Sequence, residues 1–334
     1  MFNFNYLNIV EAYKNIKSKV LKTPLISNDF INNLIGGKIY FKLENLQNTG
    51  SFKLRGASNK ISKLTLENKA NGLVAYSSGN HAQAVAFASL QENISAKIIM
   101  PKNAPKIKID NTQSYGAEVI LYDPKTEIRE EIGQNIAATE NRTLIKPYDD
   151  FDIIAGQGTA GYEIAEELNH LSITPDIYLC CCGGGGLIAG TATYLKYKFP
   201  KIESYAVEPH GFDDTKLSLE SKKIISNKQG FESICDAIIT PQPGNITFPL
   251  NLKALAGGIV VNDEEVKNSI KVLAEHLKII VEPGGAVAAT AALTKKIDIK
   301  NKTVVVMISG GNICLLYTSP SPRDRTRSRM PSSA

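Results

Sequence analysis

Four short segments of this 334-residue chain combine small, hydroxylated and ionisable residues in patterns that could do chemistry. Gly183-Gly184-Gly185-Gly186 separates an apolar run ending in three cysteines from a helix-like stretch, 187–198. Consecutive glycines let a backbone approach a ligand closely and adopt positive φ. The helix after them, starting at Leu187, offers unpaired N–H groups and a positive dipole end. Together these make a phosphate cradle, although four glycines alone also describe a tight turn. The pattern is neither G-x-G-x-x-G nor a loop followed by a Walker lysine, which argues against NAD and ATP. Lys53 follows Ser51-Phe52 in a glycine-bordered turn. Desolvation there would lower its pKa and make the amine a nucleophile for carbonyl carbon; the bland alternative is a surface lysine. Ser77-Ser78-Gly79-Asn80-His81 stands at a strand-to-helix junction, where hydroxyls and backbone N–H groups suit a carboxylate and equally suit a plain N-cap. Ser309-Gly310-Gly311-Asn312 follows an apolar strand, so the Ser309 hydroxyl could meet the edge of a flat heteroaromatic ring or could merely turn the chain.

These segments need elements to hold them. Apolar, β-branched runs predict strands at 38–43, 72–76, 96–100, 118–122, 143–145, 177–182, 204–207 and 303–308. Amphipathic stretches predict helices at 81–90, 106–115, 125–140, 158–168, 187–198 and 263–277. Alternation of this kind implies parallel sheets covered by helices, with ligands at the carboxyl ends of strands. Three of the four segments directly follow predicted strand ends, at 76, 182 and 308. The region 216–250 is too irregular to assign, and no internal repeat is present.

Composition narrows the class. With 43% hydrophobic and 21% charged residues, the chain suits one large or two ordinary globular domains. No apolar run approaches the roughly 20 residues of a membrane span, and no secretory signal is evident at the N-terminus. Five cysteines, three of them consecutive at Cys180, Cys181 and Cys182, read as small core residues of a protein in a reducing cytoplasm. From Cys314 onward CLLYTSPSPRD and RTRSRMPSSA look like a translated sequencing adaptor, so 314–334 is set aside as a non-native tail. Its four arginines and one aspartate carry three of the five net positive charges. The remaining balance gives no reason to expect nucleic acid or a membrane surface as partner. The natural C-terminus, and any regulatory domain beyond it, is not legible.

SFKLRGA, SSGNHAQ, CGGGGL and SGGN, in this order and at these intervals, resemble the fold-type II pyridoxal-phosphate (PLP) enzymes, specifically the threonine/serine dehydratase and serine racemase group. The similarity runs from about Lys22 to Ile313 and includes IAGQGTAGYEIAEEL and VEPGGAVAATAA. It implies an α/β fold of two open, mostly parallel twisted sheets with flanking helices, like the β subunit of tryptophan synthase. A large PLP-binding domain would comprise 1–70 and 151–313, and a small domain 71–150. By position Lys53 resembles the Schiff-base lysine, which also moves the Cα proton, and Phe52 the residue packed on the cofactor ring. Asn80 resembles the partner of the ring hydroxyl, Gly183, Gly184, Gly185, Gly186 and the Leu187 N–H the phosphate loop, and Ser309 the partner of the pyridine nitrogen. Ser77, Ser78, Gly79, Asn80 and His81 would take the substrate carboxylate. A hydroxyl at Ser78 would also permit proton delivery to the opposite face of Cα, as in serine racemases, or would cap the helix. Glu208, the Phe212 carbonyl and Asp214 match the spacing that holds Mg²⁺ or Ca²⁺ in relatives; hard oxygen ligands suit such ions, and an acidic solvated loop is the alternative.

The activity implied is β-elimination from a small amino-acid substrate, L-threonine or L-serine, to a 2-oxo acid and ammonia, in a homodimer or homotetramer. Serine racemisation and the dehydration or racemisation of hydroxyaspartate are the alternatives. The last of these is prompted by 207–219 and 233–251, which look closer to dehydratases of hydroxyectoine utilisation. A cofactor-binding protein without turnover is a further class, which the intact Lys53, Asn80, glycine loop and Ser309 argue against. A nicotinamide oxidoreductase fails for want of its fingerprint.

Overall fold

Runs rich in valine and isoleucine alternate with helix-patterned segments, and the strands sort into two sheets. The computed structural model describes residues 4–77 and 79–313, so Ser78 and the tail 314–334 lie outside the described residues. The strands are β1 (Leu25–Ile26), β2 (Lys38–Leu43), β3 (Leu73–Tyr76), β4 (Ala96–Pro101), β5 (Glu118–Tyr122), β6 (Thr143–Leu144), β7 (Ile177–Cys181), β8 (Glu203–Pro209), β9 (Gly257–Val261) and β10 (Thr303–Ile308). One sheet has the order β1-β2-β10-β7-β8-β9, the other β5-β4-β3-β6. Only β1 against β2 is antiparallel; the other pairings are parallel, as expected of sheets covered on both faces. β7 is buried at every residue, and β10 at every residue after Thr303. β2, β10 and β7 lie side by side, so their carboxyl ends open on one edge.

Backbone pairing draws together the segments that leave β2 and β10. Past β10, Gly310 bridges Ser51, Phe52 N donates to Ser309 O at 3.1 Å, and Gly311 N donates to Gly50 O at 2.9 Å. Lys53, expected in a turn, is instead the first residue of the helix Lys53–Ser62. The turn closes one residue earlier, because Phe52 already has helical φ and ψ of −55° and −19°.

Other differences from the sequence reading have local causes. The helix expected from Gly158 starts at Phe151, because the Asp150 carboxylate accepts from Asp152 N and Ile153 N and caps it there. The glycines that obscured its first turns serve contact. A Cβ at Gly190, on the helix Gly186–Lys198, would stand 2.3 Å from Ile154 O and 2.7 Å from Gly158 N, so the two helices cross backbone to backbone. The helix Pro283–Leu293 is apolar around its whole circumference and almost entirely buried, so it carries no amphipathic signal. The irregular stretch holds the short helices Asp214–Ser221 and Thr247–Ala254 and a 3₁₀ turn, Asp236–Ile238. β1 is only two residues long and β9 opens on Gly257-Gly258, so neither shows a strand pattern.

The helix beginning at Lys53 is fixed by a buried charge network. Arg55 and Glu44 have no exposed surface, nor has Lys42, and Glu163 is 2% exposed. Arg55 Nε and Nη2 donate to the two oxygens of Glu44 at 2.8 Å. Its Nη1 and Nη2 donate to those of Glu163 at 2.8 and 2.7 Å. Lys42 Nζ adds bonds to Glu163 Oε2 at 2.7 Å and Thr23 O at 2.6 Å. Burial opposes the charge on Arg55, but the two carboxylates outweigh it and hold the guanidinium protonated. Two cations and two anions thus neutralise each other with nearly every lone pair used. Glu163→Ala should cost about 3–5 kcal/mol in urea unfolding, because it removes the buried carboxylate that Arg55 and Lys42 share and leaves Arg55 only Glu44 and Lys42 only the more distant Glu167, at 3.5 Å; removing the exposed Lys106–Asp110 pair should cost under ~1 kcal/mol. Equal losses for the two variants would show that the network does not carry the helix.

Candidate active site

Lys53 Nζ lies in a cleft between the two sheets, 2.8 Å from Pro147 O and 5.2 Å from the centre of the Phe52 ring. Desolvation lowers its pKa to about 8, against the smaller opposing pull of Cys181 and Glu282. A substantial fraction of the amine is therefore unprotonated near neutral pH. Its neighbours are also driven towards neutrality. Burial pushes Glu282 up to about 7. Burial, aided by Lys53, pushes His81 down to about 3.

The glycine segment closes one side. Gly185 sits at φ +88°, immediately before the helix Gly186–Lys198, in the left-handed region that favours glycine. At Gly184 a Cβ would lie 2.3 Å from the Tyr148 ring, so any side chain would collide with it. The loop's carbonyls are tied away by the protein: Thr247 Oγ1 donates to Gly184 O at 2.6 Å and Asn251 Nδ2 to Gly185 O at 3.4 Å. What remains is a strip of backbone without side chains before a helix N-terminus, which fits a phosphate.

Opposite it, the helix Asn80–Gln91 begins at Gly79, which has no side chain with which to cap it. Its first N–H groups are available to a carboxylate. Gly79 N donates to Ser77 Oγ at 3.2 Å. Asn80 is held at both ends of its amide, Nδ2 donating to Glu282 Oε1 at 2.6 Å and Oδ1 accepting from Asn312 Nδ2 at 2.8 Å. One amide hydrogen is left for a ligand. The His81 side chain is engaged elsewhere. Its Nε2 lies 3.0 Å from Ile145 O, so the neutral ring donates there and has no N–H left for a carboxylate. Only the His81 backbone N–H can serve that role. Ser309 lines the cleft and its hydroxyl bonds the Cys181 thiol.

Several cleft residues escaped the sequence reading. Cys180 and Cys182 are core residues as expected, whereas Cys181 faces the cleft; Cys180, Cys181, Cys182 and Cys235 are all unbridged. Glu282 was visible only as part of VEPGG. Tyr148, Arg129, Lys108 and Gln157 carried no local signal. Arg129 Cζ stands 5.7 Å from the centre of the Tyr76 ring, and Lys108 Nζ pairs with Asp236 Oδ2 at 3.0 Å. Gln157 Nε2 and Thr240 Oγ1 are buried cleft atoms without a hydrogen-bond partner, as expected of positions that meet a ligand.

The candidate cation ligands lie apart from the cleft. Glu208 is fully buried, its oxygens accepting from Thr215 N at 2.9 Å and Lys216 N at 2.8 Å. Asp214 Oδ1 accepts from Asn227 Nδ2 at 2.5 Å, while Oδ2 is buried and bare. Burial pushes Asp214 up to about 7 and, with Asp214 beside it, Glu208 well above the carboxylate range. Among the described residues no cluster of three or more His, Cys, Asp and Glu side chains is arranged to hold a metal. This place offers two carboxylates and a backbone carbonyl.

The chain is similar to known proteins in sequence and fold. The family described as pyridoxal-phosphate dependent enzyme matches residues 16–310. The L-threo-3-hydroxyaspartate ammonia-lyase of Saccharomyces cerevisiae is 39% identical over 308 residues, covering 92% of this chain and 93% of that protein. The catabolic L-threonine dehydratase of Escherichia coli is 37% identical, covering 93% of this chain and 94% of its own length. The crystal structure of serine racemase from Dictyostelium discoideum superposes with a TM-score of 0.86 at 38% identity, over 93% of this chain and 99% of that one.

The environment of Lys53 has a measurable consequence. Because burial disfavours the ammonium, the proton should leave at lower pH than from an ordinary lysine. Reductive methylation of Lys53 by formaldehyde, followed by peptide mass spectrometry, should speed up as pH rises with a midpoint near 8 and fall away below it. A midpoint at or above 10 would mean that the amine is solvated.

Proposed function

Because the chain belongs to the pyridoxal-phosphate dependent enzyme family, we propose that it is a lyase that removes water and ammonia from 2-amino-3-hydroxy acids, L-serine and L-threonine among them. The observation that carries this reading is the buried Lys53 amine, its pKa lowered to about 8, facing a side-chain-free glycine strip across one cleft. When bound, pyridoxal phosphate supplies an electron-withdrawing ring that acidifies the Cα–H of an attached amino acid. Gly183 to Gly186 and the Leu187 N–H would hold its phosphate, Asn80 its ring hydroxyl and Ser309 its ring nitrogen, with Phe52 alongside. An uncharged hydroxyl at the ring nitrogen favours elimination over transamination. The N-terminus of the helix Asn80–Gln91, with Ser77 and Gly79, takes the substrate carboxylate. The Lys53 amine accepts the Cα proton, for which a pKa near ambient pH is suited. The β-hydroxyl takes up a proton and leaves as water, and the released enamine tautomerises to an imine that a water molecule hydrolyses to the 2-oxo acid and ammonia, so the net loss is one ammonia.

A second reading has its own observation. Arg129 and Lys108 line the cleft on the side of the four-stranded sheet, and among the described residues Arg129 forms its ion pair with the half-buried neighbour Glu130. A guanidinium so placed suits a second carboxylate, which supports hydroxyaspartate as a substrate. Ammonia-lyases acting on hydroxyaspartate and on threonine are both among the relatives, as are serine racemases.

Release of 2-oxo acid from L-serine, L-threonine and L-threo-3-hydroxyaspartate, with chiral analysis of recovered serine, tests these readings. The wild type should turn over all three, and Lys53→Ala none. Arg129→Met should lower kcat/KM for hydroxyaspartate by about 10- to 100-fold, as expected for a lost charged hydrogen bond, and leave serine within a few-fold. Accumulation of D-serine without 2-oxo acid would displace elimination as the main activity.

Glu208, the Phe212 carbonyl and Asp214 are proposed as a site for Mg²⁺ or Ca²⁺, supported by the bare Asp214 Oδ2 beside a second buried carboxylate. Either ion, near saturation, should raise the thermal midpoint by roughly 5 °C, and Asp214→Asn should abolish the rise. An unchanged midpoint in the wild type would leave the acidic loop reading in place.

A further inference from the structure

Of Pro147, Tyr148 and Asp149, between β6 and the helix Phe151–His170, the first two line the cleft and the third binds the segment that holds the glycine loop. Pro147 O accepts from Lys53 Nζ. The Tyr148 ring fills the space beside Gly184. Asp149 lies further back, and its carboxylate accepts three backbone N–H groups, from Asn245 at 3.2 Å, Ile246 at 2.8 Å and Thr247 at 3.3 Å. These N–H groups open the helix Thr247–Ala254, whose cap residue Ile246 supplies no side-chain acceptor. Asp149 therefore caps that helix from a distant part of the chain. A carboxylate at a helix N-terminus is favoured by the dipole and by charge-assisted bonds. The capped helix then supplies Thr247 and Asn251 to the carbonyls of Gly184 and Gly185.

We infer that Asp149 is a positioning residue for the cofactor's phosphate: through the helix Thr247–Ala254 it holds the glycine-loop carbonyls back and so leaves the loop's N–H groups for the anion. The inference rests on the pyridoxal-phosphate reading. A run of four glycines has no side chains to pack and loses more entropy on ordering than any other sequence. Its shape therefore depends on ties from outside, and Asp149 anchors the helix that makes them.

Dissociation constants of pyridoxal phosphate, from visible absorbance, and of inorganic phosphate, by competition, test this on the full chain freed of cofactor. Asp149→Ala should weaken both by about 10- to 100-fold, the loss expected of charged hydrogen bonds. Asp149→Asn keeps an acceptor oxygen for Ile246 and Thr247 and should stay within a few-fold of wild type. Asp176→Ala removes a comparable carboxylate, accepting from Thr303 N at 2.7 Å far from the loop; it should lower thermal stability and leave both affinities alone. Where Asp149→Ala fails to fold, Thr247→Val, which deletes one hydroxyl, should weaken both ligands. Affinities within twofold of wild type in Asp149→Ala or Thr247→Val, or an Asn variant as weak as the Ala variant, would overturn the inference and leave the cofactor reading intact. A wild type that binds neither ligand would overturn both.

Discussion

Arg55 occupies a place that water does not reach, with one guanidinium shared between the carboxylates of Glu44 and Glu163. The arrangement ties the end of β2, the start of the helix Lys53–Ser62 and the middle of the helix Phe151–His170 into one body. Removing any single partner would leave a charge buried without compensation, so the three elements are held to one relative geometry. Two residues before Arg55 stands Lys53, the residue proposed to carry the cofactor and move the Cα proton. Its amine is placed as closely as the network is rigid, because the first turn of a helix transmits position with little freedom.

Within the cleft, burial drives ionisable groups towards their uncharged forms: the lysine and histidine downwards, the glutamate upwards. Attraction for anions therefore comes chiefly from backbone N–H groups at two helix starts, one after the glycine segment and one after Gly79. Fixed peptide dipoles do not titrate, so this attraction persists at any pH at which the fold does. The basic side chains Lys108 and Arg129 line the same cleft on the side of the four-stranded sheet. The proposed function assigns anion binding to backbone and discrimination between substrates to these side chains.

The two sheets supply the edges that make the layout possible. Parallel strands end together, so β2, β10 and β7 deliver their following segments to one place, and β3 delivers Ser77 and Gly79 from the other sheet. The backbone bonds between Gly50–Phe52 and Ser309–Gly311 then hold the segments leaving β2 and β10 against each other. This juxtaposition needs no special residue chemistry. It is a consequence of strand direction and register.

Much of the site was legible in the chain because its signals are local. Strand, glycine turn and helix start succeed one another at 177–198 and at 72–90, and short-range sterics and hydrogen bonding dictate what such runs become. Lys53 drew attention through its immediate neighbours, although the helix beginning there was missed because Arg55, Ser58 and Asn59 are buried alongside its apolar residues and blur the pattern. Asp149, Tyr148 and Arg129 carried no such mark, and nothing near His81 in the chain announced that the Ile145 carbonyl would claim its ring. The sequence by itself determined which segments could bind an anion or expose an amine, since those properties reside in a few adjacent residues. Which carboxylate caps which helix, which ring fills the space beside a glycine and which amine loses its proton were decided only by tertiary structure. Those outcomes depend on contacts and on exclusion of water, which exist only after distant parts of the chain have met.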